Sequence, residues 1–317
     1  MIEQIVESII GGHFLHRGNN IDFLIHGDLD ELSQGGHKIA EHYLGNKFNL
    51  CSIVNGRSGR CSEDCKYCAQ SAHYETGVEE YPFLSLEEIK RSCRENAEAG
   101  VHRFSVVTAG RAIAGRELEQ ALKTYRYLHE HYDIELCASH GLLPQEDFAK
   151  LKRAGVSRYH ANIETSRRYF HNICSTHTFE DKVACITRAR EAGMEVCSGG
   201  IIGMGETMED RVDMAFDFLE LGVDSIPINV LSPIKGTPFE NLPPISEDEI
   251  LRSLLVFRYI NPKAEVRFAA GRIRLKDSGR PAFQAGIHAA ITGNMLTTSG
   301  NNIEQDKEML TNMGFIL

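Results

Sequence analysis

Cys61, Cys65 and Cys68 stand in the run GRCSEDCKYCAQSAHY as CxxxCxxC, with the aromatic Tyr67 immediately before the third cysteine. A loop of this spacing can wrap three soft thiolates around one corner of an iron-sulfur cube, a 4Fe-4S cluster, for which four-cysteine ligation is the usual electron-transfer pattern. Three ligands leave one iron open. An open coordination position points to substrate or cofactor chemistry, by the same logic that separates catalytic from structural zinc. The competing readings are a zinc site or scattered buried thiols. Zinc favours four ligands in paired short spacings, and the chain has no second CxxC or HxxxH pair.

A cluster on a loop needs a scaffold that fixes the loop at both ends. After an N-terminal helical region the chain alternates short β-branched runs with longer amphipathic ones, the signature of βαβ units and a parallel sheet. The expected strands are 50–54, 103–108, 134–138, 158–163, 195–200, 225–230, 265–269 and a weaker one at 288–292. Helical patterns at 85–100, 116–132, 144–155 and 179–193 lie between them, and the first, third and fourth close on Gly100, Gly155 and Gly193. Eight strands with right-handed crossovers predict an α/β fold, a (β/α)8 TIM-type barrel, with an open six-stranded sheet as the alternative. The expected organisation is a single barrel domain: an N-terminal helical extension over 1–47, the barrel over 48–300 and a C-terminal segment over 301–317. In such barrels the chemistry sits at the C-terminal strand ends. The triad follows the first strand and falls on that face, as do TAGR (108–111) and the glycine-rich GGIIGMGE (199–206).

Bulk properties narrow the partners. The 317 residues are 42% hydrophobic, enough for a large core, and carry a net charge of −10 with mixed signs along the chain. No basic stripe marks a nucleic-acid binder, no uninterrupted apolar run approaches a membrane span, and acidic residues stand where a secretory signal is basic. Nine cysteines, three of them within eight residues, argue against a secreted disulfide framework. A reducing, cytoplasmic setting is expected.

Further runs carry a family resemblance: SEDCKYCAQSAHY, VCSGGIIGMGET, SIPINVLSPIKGTP, VRFAAGR and MLTTSG. With the CxxxCxΦC motif, the chain resembles the radical S-adenosylmethionine superfamily, and within it the sulfur-inserting family that turns dethiobiotin into biotin. The resemblance covers about residue 48 to the C-terminus. It implies that the open iron binds S-adenosylmethionine and that a 5'-deoxyadenosyl radical takes hydrogen from unactivated carbons. It also implies that an auxiliary iron-sulfur cluster deep in the barrel donates the sulfur. A hydrogenase-cofactor maturase, a methylornithine-type mutase and a non-enzymatic iron-sulfur scaffold are the alternatives. The implied partners are dethiobiotin, a one-electron reductant such as flavodoxin or ferredoxin, and a second copy of the chain in a homodimer.

Site residues follow from the resemblance position by position. Ala109 and Gly110 in TAGR are expected to meet the methionyl group through backbone carbonyls. Asn162 and Glu164 in HANIETS are expected at dethiobiotin and the cofactor ribose, with Glu164 one methylene longer than the family's usual Asp or Asn. His177 is expected near the cofactor carboxylate, Ile201, Ile202 and Glu206 near the adenine, and Asn229 at the ureido ring, which a carboxamide can both donate to and accept from. For Asn162 and Asn229 the plainer role is capping strand ends, for His177 a solvent-facing loop position, and for Glu206 capping the next helix.

The auxiliary cluster is where the chain departs from the family. Cys137 and Cys197 occupy two of the family's three inward cysteine positions and Arg267 matches its arginine, but the second-strand position is Ser105, whose hard hydroxyl is a poor substitute for thiolate. Cys51, on the neighbouring first strand about 4.8 Å away, is the expected replacement, with a 2Fe-2S or a four-iron centre as the outcome. Arg267 is expected as ligand or close donor. Cys51 as mere packing is the competing reading. Cys93 and Cys185 are expected to be packing residues, while Cys174, in the loop after the fourth strand at the active-site end, is open between packing and a spare ligand.

Overall fold

The computed structural model describes residues 1–293 and 302–317, so the MLTTSG run at 295–300 lies outside the described residues. The described strands are β1 (Asn49–Arg57), β2 (Arg103–Thr108), β3 (Glu135–Ser139), β4 (Val156–His160), β5 (Glu195–Cys197), β6 (Gly200–Ile202), β7 (Ser225–Val230), β8 (Glu265–Phe268) and β9 (Ala289–Ile291). They form one sheet in the order β5-β4-β3-β2-β1-β9-β8-β7-β6, and a further β5–β7 pairing closes it into a barrel. Every pairing is parallel.

The expected eight strands are therefore present, with one difference: the fifth is broken into β5 and β6. Cys197 pairs with Ser225 and Gly200 with Ile228, so the break lies opposite Ile226 and Pro227. Pro227 has no N–H to give the ladder. The chain at Gly199 passes so close that a Cβ there would lie 1.7 Å from the Pro227 carbonyl oxygen. Only glycine allows the barrel to close at this point.

Alternation along the strands separates two cores. Phe104, Leu136, Tyr159, Val196, Ile226, Val266 and Phe268 point outward and are buried under the helices. The opposite set, including Cys51, Ser105, Cys137, His160, Cys197 and Arg267, lines the interior. The helices that follow the upper loops start at fixed points: Ser85, Thr178 and Thr207 each form a capping box, with Glu88, Asp181 and Asp210. Three helices, Ile2–Ile10, Asp22–His26 and Leu29–Leu44, make the N-terminal extension. The C-terminus returns to the barrel, where Phe48 N–H donates to the Ile316 carbonyl (2.9 Å). No helix among the described residues is long and apolar enough to cross a membrane.

Behind β2 and β3, His140 is fully buried between Thr108 Oγ1 (3.0 Å) and the Tyr125 hydroxyl (2.8 Å), which fixes the strand end that leads into TAGR. Burial pushes its imidazole down to about 3, and the Arg57 guanidinium adds to the effect. The unfolded chain binds this proton below its ordinary value of 6.5 while the folded one stays neutral, so stability falls as pH drops below 6.5 and the loss continues towards pH 3. This one group is expected to cost about 2 kcal/mol at pH 5. Urea unfolding at pH 7.5 and 5 should show a smaller acid loss in His140→Gln than in the parent; equal losses would contradict the assignment.

Candidate active site

The loop after β1 is built to present sulfur. Cys61 N–H donates to the Gln70 carbonyl (2.9 Å), Ala72 N–H to that of Cys61 (2.8 Å) and Cys68 N–H to that of Cys65 (3.0 Å), so the loop folds on itself around the triad. The acidic pair between the first two cysteines ties it to the loop after β4. Asp64 accepts N–H bonds from Ser175 (2.8 Å) and Thr176 (3.1 Å), and the Ser175 and Cys174 side chains add to them, holding its carboxyl well below the usual carboxylate range against the opposing effect of burial. Glu63 Oε2 meets His177 Nδ1 (2.6 Å), Thr176 Oγ1 (3.0 Å) and Arg111 Nη1 (3.2 Å).

Above the barrel floor lies a cavity of about 410 Å³. Cys61, Cys65 and Cys68 line its mouth, and Cys51, Cys137 and Cys197 line its depth. Of the other sequence-expected residues, Tyr67, Ala109, Gly110, Asn162, Glu164, His177, Ile201, Asn229 and Arg267 line it as well. Tyr67 is packed between Cys65 and Glu164, where burial raises its hydroxyl well above the ordinary value. Glu164 sits at φ +70°, a left-handed conformation that a glutamate adopts at a cost of order 1 kcal/mol or more. Its carbonyl accepts Ile201 N–H (2.8 Å), which holds the turn, and its carboxylate accepts Asn162 Nδ2 (3.2 Å).

Several expectations are altered by these partners. The Ala109 carbonyl already accepts the Arg57 guanidinium, through Nε at 2.9 Å and through Nη2, and is thereby committed to the protein. Asn162 and Asn229 do cap strand ends: their Oδ1 atoms accept Gly199 N–H (2.8 Å) and Ala270 N–H (3.1 Å) while the side chains still line the cavity. His177 is buried against Glu63 rather than facing solvent. Ile202 and Glu206 lie outside the cavity wall. The Glu206 carboxylate is turned under its own loop, accepting Gly203 N–H (2.8 Å), Met204 N–H (2.7 Å) and Arg211 Nε (2.8 Å), so it shapes the glycine-rich loop from behind.

The depth of the cavity is cationic and thiol-rich. Cys51 shares a hydrogen bond with Cys137 that, helped by the guanidiniums of Arg267 and Arg158, holds the Cys51 thiol below its ordinary value, while the same bond and burial push Cys137 well above it. Cys197 is pushed up to about 11 by burial, against the pull of the same two arginines. Near the mouth, burial pushes Cys68 up to about 11, so its thiolate needs a cation beside it. Both donor sets therefore fit iron, the upper one with three thiols and the lower one with three thiols beside fixed positive charge. Cys93 and Cys185 are buried in helices, as expected. Cys174 is not remote: its Sγ lies 3.8 Å from Cys65 Sγ and 3.3 Å from His177 Nδ1.

Sequence reasoning missed Arg158 and His160 on β4, Lys182 at the helix start and the role of Glu63 and Asp64. The first two carried a signal, since period-two alternation from Asn162 back along the strand puts residues 160 and 158 on the same face. The others depend on which loops meet.

Comparison with known proteins places this geometry. The Radical SAM superfamily model matches residues 57–218, and the Biotin and Thiamin Synthesis associated domain matches residues 227–316. The chain is 56% identical over 316 residues to a biotin synthase of Alkaliphilus metalliredigens, covering 100% of this chain and 99% of that one. It is 54% identical to one of Clostridium beijerinckii, covering 99% of each.

The chain belongs to the biotin synthase family.

It is also 50% identical to a biotin synthase of Akkermansia muciniphila, covering 99% of this chain and 98% of that one. Among solved structures, methylornithine synthase superposes with a TM-score of 0.85 at 19% identity, covering 98% of this chain and 96% of that one. A maturase of the [FeFe]-hydrogenase follows at 0.82 and 18%, covering 99% of this chain and 74% of that one. These two likenesses show the barrel fold alone.

Membership makes the chain a radical S-adenosylmethionine enzyme of biotin formation, which accounts for a loop as carefully braced as GGIIGMGE. Glu206 and Arg211 form an ion pair whose side chains are 0% and 2% exposed. Glu206→Ala leaves Arg211 with the half-exposed Glu249 (2.8 Å) as its remaining carboxylate and strands the buried Gly203 and Met204 N–H groups, and should cost about 3 kcal/mol in chemical denaturation. A loss under 1 kcal/mol would contradict this placement.

Proposed function

We propose that the cavity inserts sulfur into dethiobiotin with a 4Fe-4S cluster and S-adenosylmethionine at its mouth and an auxiliary iron-sulfur cluster at its depth. Cys61, Cys65 and Cys68 hold the upper cluster; Cys51, Cys137 and Cys197 hold the lower one. Bound there, the upper cluster and S-adenosylmethionine supply a carbon-centred radical, and the lower cluster supplies sulfur. The observation that carries the reading is the stacking of two cysteine sets in one cavity, with the Arg158 and Arg267 charges beside the deeper set.

The chain's own residues orient and enclose. Asn162 spends one N–H on the Glu164 carboxylate and one oxygen lone pair on Gly199 N–H, and Asn229 spends one of each on strand ends, so each keeps one donor and one acceptor position for a ureido ring between them. Gly110, at φ +106°, turns the chain at the mouth, and Tyr67, Glu164, His177 and Ile201 wall the cofactor side. Ala109, Ile202 and Glu206 support that wall from outside or through the backbone. Arg267 serves the lower cluster as a charge: its Nη atoms donate to Asn49, Ala290 and Glu265. The chain works as one barrel unit with its N-terminal extension (1–47) and C-terminal segment (301–317), in the cytoplasm, as a homodimer. A flavodoxin- or ferredoxin-type protein supplies the electron.

Relocation of one ligand from residue 105 to residue 51 is the distinctive part. Cys51 falls beside Cys137 in hydrogen-bond range, while Ser105 occupies the opposite position on β2 with no thiol to offer. After anaerobic reconstitution, Cys51→Ala should keep the upper cluster's iron and its 5'-deoxyadenosine formation, lose the lower cluster's Mössbauer signature, and make no biotin. A full auxiliary spectrum with normal biotin yield would overturn the relocation.

A further inference from the structure

Three inward thiols leave the deep site one protein donor short of four, and the resemblance fills that place with an arginine. Here Arg267 is fully engaged. Nη1 donates to the carbonyls of Asn49 (3.0 Å) and Ala290 (2.9 Å), and Nη2 donates to Asn49 Oδ1 (2.6 Å) and Glu265 Oε2 (3.2 Å). All four Nη protons therefore have acceptors, one of them a carboxylate. A ligand must present a lone pair, which a guanidinium lacks, and freeing one here would break an ion pair whose arginine side chain is 2% exposed.

A better donor faces the same space. Along β4 and just past its end, the alternation Arg158, His160, Asn162 points all three side chains into the cavity. His160 pairs in register with Cys197 on β5, and its Nδ1 lies 3.2 Å from Cys197 Sγ. Imidazole is a neutral nitrogen donor that iron-sulfur centres accept in place of thiolate. Arg158, the next inward residue down the strand, is held by Glu195 (2.9 Å) and Glu265 (3.0 Å) and supplies charge without competing as a donor.

We propose that His160 is the nitrogen ligand of the deep iron-sulfur cluster, completing a three-thiolate, one-imidazole set with Cys51, Cys137 and Cys197, while Arg267 remains a charged floor. The imidazole binds through a ring nitrogen lone pair and keeps its single proton on the other nitrogen. No electron changes hands in that step. Replacing one thiolate by a neutral ligand makes the cluster less anionic and easier to reduce. The inference rests on the proposed two-cluster reading and refines its deeper site.

The test is pulsed electron paramagnetic resonance on the dithionite-reduced holoenzyme without S-adenosylmethionine, selectively labelled with ¹⁵N-histidine. A strongly coupled histidine nitrogen is expected, lost in His160→Asn and kept in His177→Asn, with the lower cluster's reduction potential falling when cysteine replaces His160. The labelled parent protein already decides the matter if a variant fails to fold. No strongly coupled histidine nitrogen, one that survives His160→Asn, or one that appears only with ¹⁵N-arginine would overturn the proposal. Iron and sulfide counts on the same sample separate this from failure of the two-cluster reading, which would leave iron for a single cluster only.

Discussion

Everything in this molecule depends on closing a parallel sheet at one tight point. Between β5 and β6 the chain must pass Pro227 at a distance that admits no side chain, and Gly199 supplies the missing Cβ. Once the sheet closes, strand alternation is no longer a preference for one of two faces. It divides the residues into those packed under helices and those enclosed together in one cavity. Cysteines distant in sequence, on β1, β3 and β5, then become neighbours at one depth.

Closure also sets the electrostatics. The lower cavity gathers Arg158 and Arg267, and both share Glu265, while Glu195 takes Arg103 and Arg158. Buried cations paired to the wall keep their positions, so their charge acts on the thiols as a fixed field instead of adapting as solvent would. At the mouth the acidic residues do the opposite work. Glu63 and Asp64 spend their oxygens on bracing the triad loop against residues 174–177, which leaves the thiols as the softest donors at the mouth. The strained backbone at Glu164 belongs to the same arrangement, since its carbonyl fixes Ile201 and its carboxylate meets Asn162.

Much of this was legible beforehand. The triad declares itself by spacing, and the β-branched runs located every described strand but the separate β6, because each is short, apolar and bounded by turns. The split of the fifth strand was not legible, because it arises from what Pro227 withholds from its neighbour, a pairing that sequence order does not reveal. Glu206 was misplaced for a similar reason: a carboxylate in a glycine-rich loop reads equally as a cofactor contact or a brace, and only Arg211 buried beneath it decides. Cys174 and Cys65 are 109 residues apart, and nothing local predicts that their sulfurs lie 3.8 Å from each other. His160, by contrast, was readable from alternation once Asn162 had been placed inward.

The account stands on two iron centres stacked in one barrel, the deeper one reached by a cysteine from the first strand. Anomalous diffraction at the iron edge, from crystals of the anaerobically reconstituted enzyme, tests this most directly. The account predicts two separate iron peaks, one beside Cys61, Cys65 and Cys68 and the other in contact with Cys51, Cys137 and Cys197. A single iron peak, or a deep peak beside Ser105 with Cys51 out of reach, would contradict it.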